Sequence, residues 1–348
     1  MPRLRHCKEH CRISDFVSAE TENKRALRPE KSGGTRWWVV GKYGISLVLI
    51  AYLVTSVEWL KVWASVSTVS LPWLLIGLFY IPAGTVLVAS RYHRLIDGLI
   101  SYRAMLRLVI FQGAISTFLA NAAGSLTYIG ILTKVNQVPA ELAVQSTIIA
   151  RLGDLFSSLI VAAVLVALAW NRLERIQSLL LLSILLSTVL ILLAILVIVI
   201  ARRMGMVTPK GKPGARVSGA TLWQQVLGFG VRVIHLKEGY VATILPATLW
   251  YSFLLQAVIA IAMYCNVRAF HLDIGFFEAA LVGVVASFIA SVPITVFGGL
   301  GVYEVSTVGL LAVFGVPIEG ATGMILVVRT MFFLVMATAF VFIRPTSQ

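Results

Sequence analysis

Stretches of about 20 apolar residues recur along most of the chain, and a helix of that length crosses the roughly 30 Å of hydrocarbon in a bilayer. Eight such stretches cover residues 37–57, 71–90, 108–132, 146–170, 179–201, 241–265, 276–297 and 323–343. Charged residues make up 13% of the chain, whereas soluble domains carry roughly 25%. The sequence therefore predicts an all-α, polytopic transmembrane helix bundle that lacks a soluble catalytic domain.

Residues 1–36 differ from the rest of the chain. They contain nine Lys or Arg, five Asp or Glu and one aromatic residue, Phe16, which is too little apolar surface to fold. We expect a disordered, basic cytoplasmic tail, followed by one transmembrane domain over residues 37–345. The tail includes the run HCKEHC at residues 6–11, but its His and Cys residues lack the spacing of known zinc sites. No metal and no other cofactor is predicted.

Lys and Arg are concentrated in certain connections, and positively charged loops stay in the cytoplasm. The tail holds nine, residues 91–107 hold four and residues 202–216 hold five, while the connections 58–70, 171–177 and 266–275 together hold four. We therefore attribute the net charge of +14 to topology and to anionic lipids at the cytoplasmic face, not to nucleic acid. We expect a multi-pass protein of the inner (cytoplasmic) membrane with a cytoplasmic N-terminus.

This orientation conflicts with the number of apolar stretches. Two connections that are both predicted to be cytoplasmic must be separated by an even number of crossings, but three apolar stretches lie between them. One of the three cannot cross the membrane. Residues 108–132 are interrupted by the weak helix formers Asn121-Ala-Ala-Gly124-Ser125. We predict that this stretch is a re-entrant hairpin that enters from the cytoplasmic side.

The longest connection, residues 204–240, carries apolar side chains at helical spacing between Trp223 and Ile234. This pattern is typical of a helix lying in the membrane interface. A helix packed on the protein itself explains the pattern equally well.

A short sequence repeat relates the two halves, roughly residues 37–170 and 179–345. The run VPAELA at 138–143 and Arg151 match VPIEGA at 316–321 and Arg329, each with an offset of 178. A broken apolar segment precedes each copy, and if the second break is also re-entrant, the halves are inverted. Inverted repeats with broken helices are typical of transporters, whose substrate sites lie where the breaks meet. Two unrelated helices that both begin after proline are the alternative.

Four charged residues lie in or next to these segments. Arg151 and Asp154 share a helix face, Arg329 lies within an apolar stretch, and Glu304 follows the second break. Charges at such depth cost about 2.5–3.5 kcal/mol each on insertion scales and normally pair or face a cavity. In one interpretation the arginines bind an anionic head group, and the carboxylates orient them or bind its cationic part. In the other, Arg151–Asp154 and Arg329–Glu304 are ion pairs that only hold helices together.

The breaks themselves supply the remaining predicted substrate contacts. Glycines and a proline allow sharp bends and close approach of backbone amides to a phosphate, and tight helix crossing is the alternative. The residues concerned are Asn121 and Gly124 in the first break and Pro293, Gly298, Gly299 and Gly301 in the second. No catalytic residue is assigned, because no Ser/His/Asp set and no complete phosphate-binding loop is recognisable.

The pattern P-x-x-x-x-G-G-x-G-x-x-E from Pro293 to Glu304, with Arg329 and with Arg151-Leu-Gly-Asp154, resembles the transmembrane domain of the lysylphosphatidylglycerol synthase family, flippase-like membrane proteins. The resemblance covers roughly residues 36–345. The family usually has Gly-Glu-x-x-Arg at the first break, whereas this chain has Gly124-Ser125-Leu-Thr-Tyr128. The soluble synthase domain of the bifunctional members is absent from this sequence.

The resemblance implies translocation of an anionic or aminoacylated phospholipid, or of a lipid-linked precursor, between leaflets. Two other functions stay open. The chain could be a membrane-embedded lipid-phosphate transferase with Asp154 or Glu304 as general base. It could also be an accessory subunit that anchors a separate synthase or glycosyltransferase through the tail and residues 204–240.

Overall fold

The computed structural model describes residues 55, 58–168, 238–291 and 300–342. The described residues are helical apart from short connections. The helices are α1 Trp59–Ser67, α2 Leu71–Leu78, α3 Tyr80–Leu95, α4 Tyr102–Phe118, α5 Asn121–Lys134, α6 Ala140–Leu168, α7 Glu238–Ala269, α8 Phe276–Ser291, α9 Val302–Val313 and α10 Ile318–Phe342.

Four helices among the described residues are long and apolar enough to cross a membrane: Leu71–Leu95, Ala140–Leu168, Ile244–Ala269 and Ile318–Val341. The first joins α2 and α3, which are separated only at Phe79. These spans confirm four of the predicted apolar stretches, those at 71–90, 146–170, 241–265 and 323–343. The stretches at 37–57 and 179–201, the basic tail and nearly all of the connection 204–240 lie outside the described residues.

Helix boundaries correct two details of the sequence interpretation. Residues 91–95 were assigned to a cytoplasmic connection, but α3 continues through them to Leu95. Arg151 was placed at the start of a helix, but α6 begins at Ala140 and Arg151 is its twelfth residue. Arg151 therefore lies about 16 Å along its helix, since each residue adds about 1.5 Å.

The apolar stretch at 108–132 is interrupted, but residues 121–125, which were predicted to interrupt it, form the start of a helix. It forms α4 and α5, which are separated at Leu119 and Ala120, where the backbone of Ala120 is extended. The two helices pack against each other. Gly124 lies in this contact, because a Cβ atom there would come within 2.8 Å of the Gln112 carbonyl oxygen. The close packing of α4 and α5 thus requires a glycine at this position.

The second predicted break lies between α8 and α9, which also pack against each other. α8 is a short apolar helix of 16 residues. Residues 292–299, which include Pro293, Gly298 and Gly299, lie outside the described residues. Gly301 is described, and its φ of 86° is in the left-handed region that favours glycine.

The starts of α6 and α10 have the same local structure. Each helix follows a proline, Pro139 or Pro317, whose carbonyl accepts a hydrogen bond from the alanine four residues later, at 3.1 and 3.0 Å. The residue two positions before each proline has a positive φ, 55° at Gln137 and 82° at Gly315. All of these pairs have the offset of 178 found in the sequence.

The buried apolar side chains of the described residues form three clusters, two of which lie mostly within one half each. One cluster is built from residues 89–150 of α3 to α6. The other is built mainly from residues 263–328 of α7 to α10. A third, smaller cluster joins α6 to α7 and α8. In addition, α4 packs against α10 and α6 packs against α8, so helices of one half contact helices of the other.

Candidate functional site

Glu304 and Arg329 form a buried ion pair between α9 and α10. Arg329 Nε donates a hydrogen bond to Glu304 Oε1 at 2.6 Å. The other carboxylate oxygen, Oε2, accepts a hydrogen bond from the Gly301 amide at 2.6 Å. The Arg329 side chain is 14% exposed and the Glu304 side chain 9%. Glu304 therefore caps the start of α9 and neutralises an arginine in the middle of a candidate span.

The Arg329 guanidinium also lies among aromatic rings. Its Cζ atom is 4.8 Å from the ring centre of Tyr303, and 5.7 and 5.5 Å from those of Phe332 and Phe333. Such cation–π contacts are stronger where water is excluded. The contacts hold the guanidinium in place without changing its charge.

A second ion pair joins α3 to α6. Arg91, which is 3% exposed, donates from both Nη atoms to the two carboxylate oxygens of Asp154. Ser252 on α7 accepts from Arg91 at 2.8 Å and donates to Asp154 at 3.1 Å. This network ties α3, α6 and α7 together.

Asp154 therefore does not pair with Arg151, as one sequence interpretation proposed. Three residues separate them, but Asp154 faces Arg91 whereas Arg151 Nη2 donates to Ser125 Oγ on α5 at 3.3 Å. Within the part of the chain that the structure describes, Arg151 forms no ion pair with a carboxylate. The proposed pairing of Arg329 with Glu304 is observed.

Arg151 and Arg329 line the same cavity, which has a volume of about 270 Å³. We call it the arginine cavity. Its other lining residues are Tyr80, Ile259, Ala262, Met263, Asn266, Ser287, Ala290, Tyr303 and Val328. Because each arginine is the twelfth residue of its helix, the two cations enter the cavity from equivalent positions in the two halves.

An apolar groove adjoins the arginine cavity. It has a volume of about 240 Å³ and shares Tyr80 and Ile259 with the cavity. The rest of its lining comes from α3, α4, α7 and α10: Ile81, Gly84, Thr85, Val88, Val109, Ile110, Gln112, Gly113, Ser116, Leu255, Phe332 and Met336. A charged space and an apolar space thus meet at a shared wall.

The other predicted site residues have different positions. Four of them do not line the arginine cavity: Asp154, Glu304, Gly301 and Gly124. The two acidic residues form ion pairs. Gly301 lies at a backbone turn, and Gly124 lies in a helix contact. Asn121 is the first residue of α5. Their predicted contacts with a substrate stay predictions.

Three polar residues important to this region were missed. Arg91 was counted as a loop residue, although an aspartate within an apolar segment indicates that a cation lies nearby. Asn266 follows the predicted end of its apolar stretch, and α7 continues to Ala269. Tyr80 has no distinguishing sequence signal, because aromatic residues are common in transmembrane helices.

These features define a multi-pass helical membrane protein with a positively charged cavity inside its helix bundle. The family model of the lysylphosphatidylglycerol synthase TM region matches residues 39–339, which is most of the chain, so the chain belongs to this family. It is a family of membrane domains associated with lipid handling. Comparison with curated proteins gave no match.

Proposed function

We propose that this protein moves a lipid or lipid-linked compound between the leaflets of its membrane, and that the arginine cavity holds the anionic head group. The observation that carries the proposal is that Arg151 and Arg329, from two different halves, line one cavity. Arginine suits phosphate recognition because its planar guanidinium presents several donors. An arginine at this depth is costly unless it is paired or faces a polar space.

The apolar groove favours a lipid, and not a small soluble anion, as the substrate. It adjoins the arginine cavity through Tyr80 and Ile259, so a phosphate in the cavity and an acyl chain in the groove would belong to one continuous molecule. Groove residues such as Val109, Leu255 and Met336 offer contacts that suit hydrocarbon.

The arrangement of the halves suggests how the head group changes sides. We infer that the halves are inverted and that the pairs α4–α5 and α8–α9 re-enter the membrane without crossing it. The matching starts of α6 and α10, each after a proline and a residue of positive φ, support the repeat on which this inference rests. Rocking of one half against the other would open the cavity to each leaflet in turn.

The transferase alternative gains no support from the site. Its candidate bases, Asp154 and Glu304, are both engaged by arginines and do not line the cavity. The accessory-subunit alternative depends on the tail and on residues 204–240, nearly all of which lie outside the described residues, and it stays a prediction.

Lipid transport by the purified chain tests the proposal. The protein is reconstituted in liposomes with a fluorescent phosphatidylglycerol, and a membrane-impermeant quencher reports the lipid that reaches the outer leaflet. Arg151→Ala should slow transport about 10- to 100-fold, since a hydrogen bond to a charged group contributes about 1.5–3 kcal/mol. Arg151 is the better target because Arg329 also neutralises Glu304.

The matched control is Arg103→Ala, which removes an exposed arginine that does not line the cavity. Transport by this variant should equal that of the unmodified chain. Equal rates for Arg151→Ala and the unmodified chain would remove the arginine cavity from the mechanism. No transport by the unmodified chain would overturn the proposed function.

A further inference from the structure

We propose that the arginine cavity selects lipids whose head group carries a phosphodiester and no ammonium group, so that net-anionic lipids are transported and aminoacylated or zwitterionic lipids are disfavoured. This inference rests on the proposed function and specifies its substrate class. It follows from the charges, donors and acceptors in the cavity wall.

The described wall of the arginine cavity contains two cationic side chains and no carboxylate. Its described lining residues include two arginines and no Asp or Glu. A phosphodiester brings one negative charge into this space. A lysyl or other aminoacyl head group brings one or more positive charges as well, and an ammonium group next to a guanidinium is repelled.

Glu304 is the one acidic residue of α9, and its carboxylate already accepts two hydrogen bonds. Arg329 Nε binds one oxygen and the Gly301 amide binds the other, both at 2.6 Å. An ammonium group needs acceptors for up to three donated hydrogen bonds, and each oxygen of Glu304 already accepts one from Arg329 or Gly301. The Arg329–Glu304 pair therefore contributes no net charge.

Arg151 has a different environment, and this difference sets the net charge of the cavity. Arg151 donates to the hydroxyl of Ser125, whereas Arg329 donates to the carboxylate of Glu304. A hydroxyl group accepts a hydrogen bond but does not cancel the charge. The described lining of the cavity thus carries one positive charge, that of Arg151, without a carboxylate partner, which equals the charge of one phosphodiester with opposite sign.

Asn266 adds a donor on the same wall. Its side chain is 5% exposed, and its Oδ1 atom faces Gly77, where an added Cβ would come within 3.0 Å of Asn266 Cγ. Oδ1 has no hydrogen-bond partner among the described residues, and the amide nitrogen is the group left for a ligand. With the hydroxyls of Tyr80 and Ser287, this wall suits phosphate oxygens and the hydroxyls of an uncharged head group.

Comparison of lipids in the same liposomes tests the selectivity. The unmodified chain is reconstituted with fluorescent phosphatidylglycerol, phosphatidylcholine or lysylphosphatidylglycerol in separate preparations of otherwise equal composition. We expect phosphatidylglycerol to cross at least about tenfold faster than either of the others, which corresponds to about 1.4 kcal/mol.

The variant Ser125→Glu places a carboxylate beside Arg151 and should lower the ratio of phosphatidylglycerol to lysylphosphatidylglycerol transport about tenfold or more. Ser67→Glu adds the same charge at an exposed position on α1 and should leave the ratio unchanged. If Ser125→Glu does not fold, as judged by its elution profile and helical content, Arg151→Gln removes the unmatched charge and should also lower the ratio.

The outcomes separate the two proposals. Equal rates for the three lipids, or faster transport of lysylphosphatidylglycerol, would overturn the selectivity and leave the transport function standing. An unchanged ratio in both folded cavity variants would also overturn it, because the preference would then arise elsewhere. Transport of none of the three lipids would overturn the proposed function, and the selectivity with it.

Discussion

Asp154 binds Arg91 on α3 through both of its carboxylate oxygens, although Arg151 lies only three residues before it on the same helix. The two halves therefore use their charges differently. In the second half Glu304 neutralises the cavity arginine, Arg329. In the first half Asp154 pairs with Arg91, which does not line the cavity, and Arg151 has no carboxylate partner among the described residues.

Removal of Arg91 should strongly destabilise the protein. Arg91→Met leaves Asp154 without its partner, and breaking a buried ion pair costs about 3–5 kcal/mol. The double variant Arg91→Met with Asp154→Leu should recover most of that loss, because it removes both charges. Thermal unfolding of the purified protein in detergent measures both effects.

As a control, Lys61→Met breaks the exposed pair Lys61–Glu58 and should cost at most about 1 kcal/mol. Additive losses in the double variant would show that the two residues do not interact.

The contact between α4 and α5 predicts different effects for two glycines on the same helix. Gly124→Ala should destabilise the fold by about 1–3 kcal/mol, because its Cβ has no room beside Gln112 and Ser116. Gly130→Ala should be neutral or stabilise by up to about 1 kcal/mol, because nothing lies within 4 Å of the added Cβ and alanine is the better helix former. Unfolding midpoints in detergent compare the two variants. Equal midpoints would contradict the observed packing.

Filling the apolar groove should slow lipid transport without unfolding the protein. The Cβ of a residue at position 113 would lie 3.9 Å from Met336 Sδ in the groove, so Gly113→Phe should occupy space that we assign to an acyl chain. We expect transport of fluorescent phosphatidylglycerol to fall about tenfold, or about 1.4 kcal/mol in barrier. Gly309→Phe adds the same ring at an exposed glycine with open space around it. Full transport by a folded Gly113→Phe variant would show that the groove holds no part of the lipid.

Substitution of two asparagines, one in the cavity wall and one outside it, should affect transport and stability differently. Asn266→Ala removes an amide whose Oδ1 has no partner among the described residues. The free energy of unfolding of this variant should therefore change by less than about 1 kcal/mol. Loss of one hydrogen bond to the substrate should slow transport about fivefold. Asn136 lies away from the cavity, and its amide donates to the Ile131 carbonyl at 3.4 Å. Asn136→Ala should therefore reduce stability and leave transport unchanged. Transport and unfolding are measured on the same preparations, and the reverse pattern would refute the role of Asn266.

Several elements of the fold were predictable because they depend on local sequence. The long apolar stretches became α2–α3, α6, α7 and α10, since a bilayer requires each crossing segment to satisfy its own backbone hydrogen bonds. The weak helix formers at 121–125 indicated that the stretch at 108–132 is interrupted, but the break lies at Leu119 and Ala120, and residues 121–125 begin α5. The matching residues before α6 and α10 indicated equal helix starts, and the backbone angles at Gln137 and Gly315 agree.

The pairing of charged residues was only partly predictable. One of the two interpretations paired Glu304 with Arg329, and this pair is observed; few other charges were available near these segments. Arg91 was misassigned because positive charges near the end of an apolar stretch resemble loop residues. No sequence rule distinguished Arg91 from Arg151 as the partner of Asp154, because that choice depends on how α3 and α6 pack.

The sequence by itself determined the membrane environment, the four described spans and the family, because hydropathy and short motifs are properties of contiguous residues. Only the tertiary structure decided that Arg151 and Arg329 line one cavity, that Tyr80 and Asn266 join them there, and that Asp154 pairs with Arg91. These relationships join residues up to hundreds of positions apart in the chain, and they arise from helix packing, for which apolar periodicity in a lipid-facing helix carries little information.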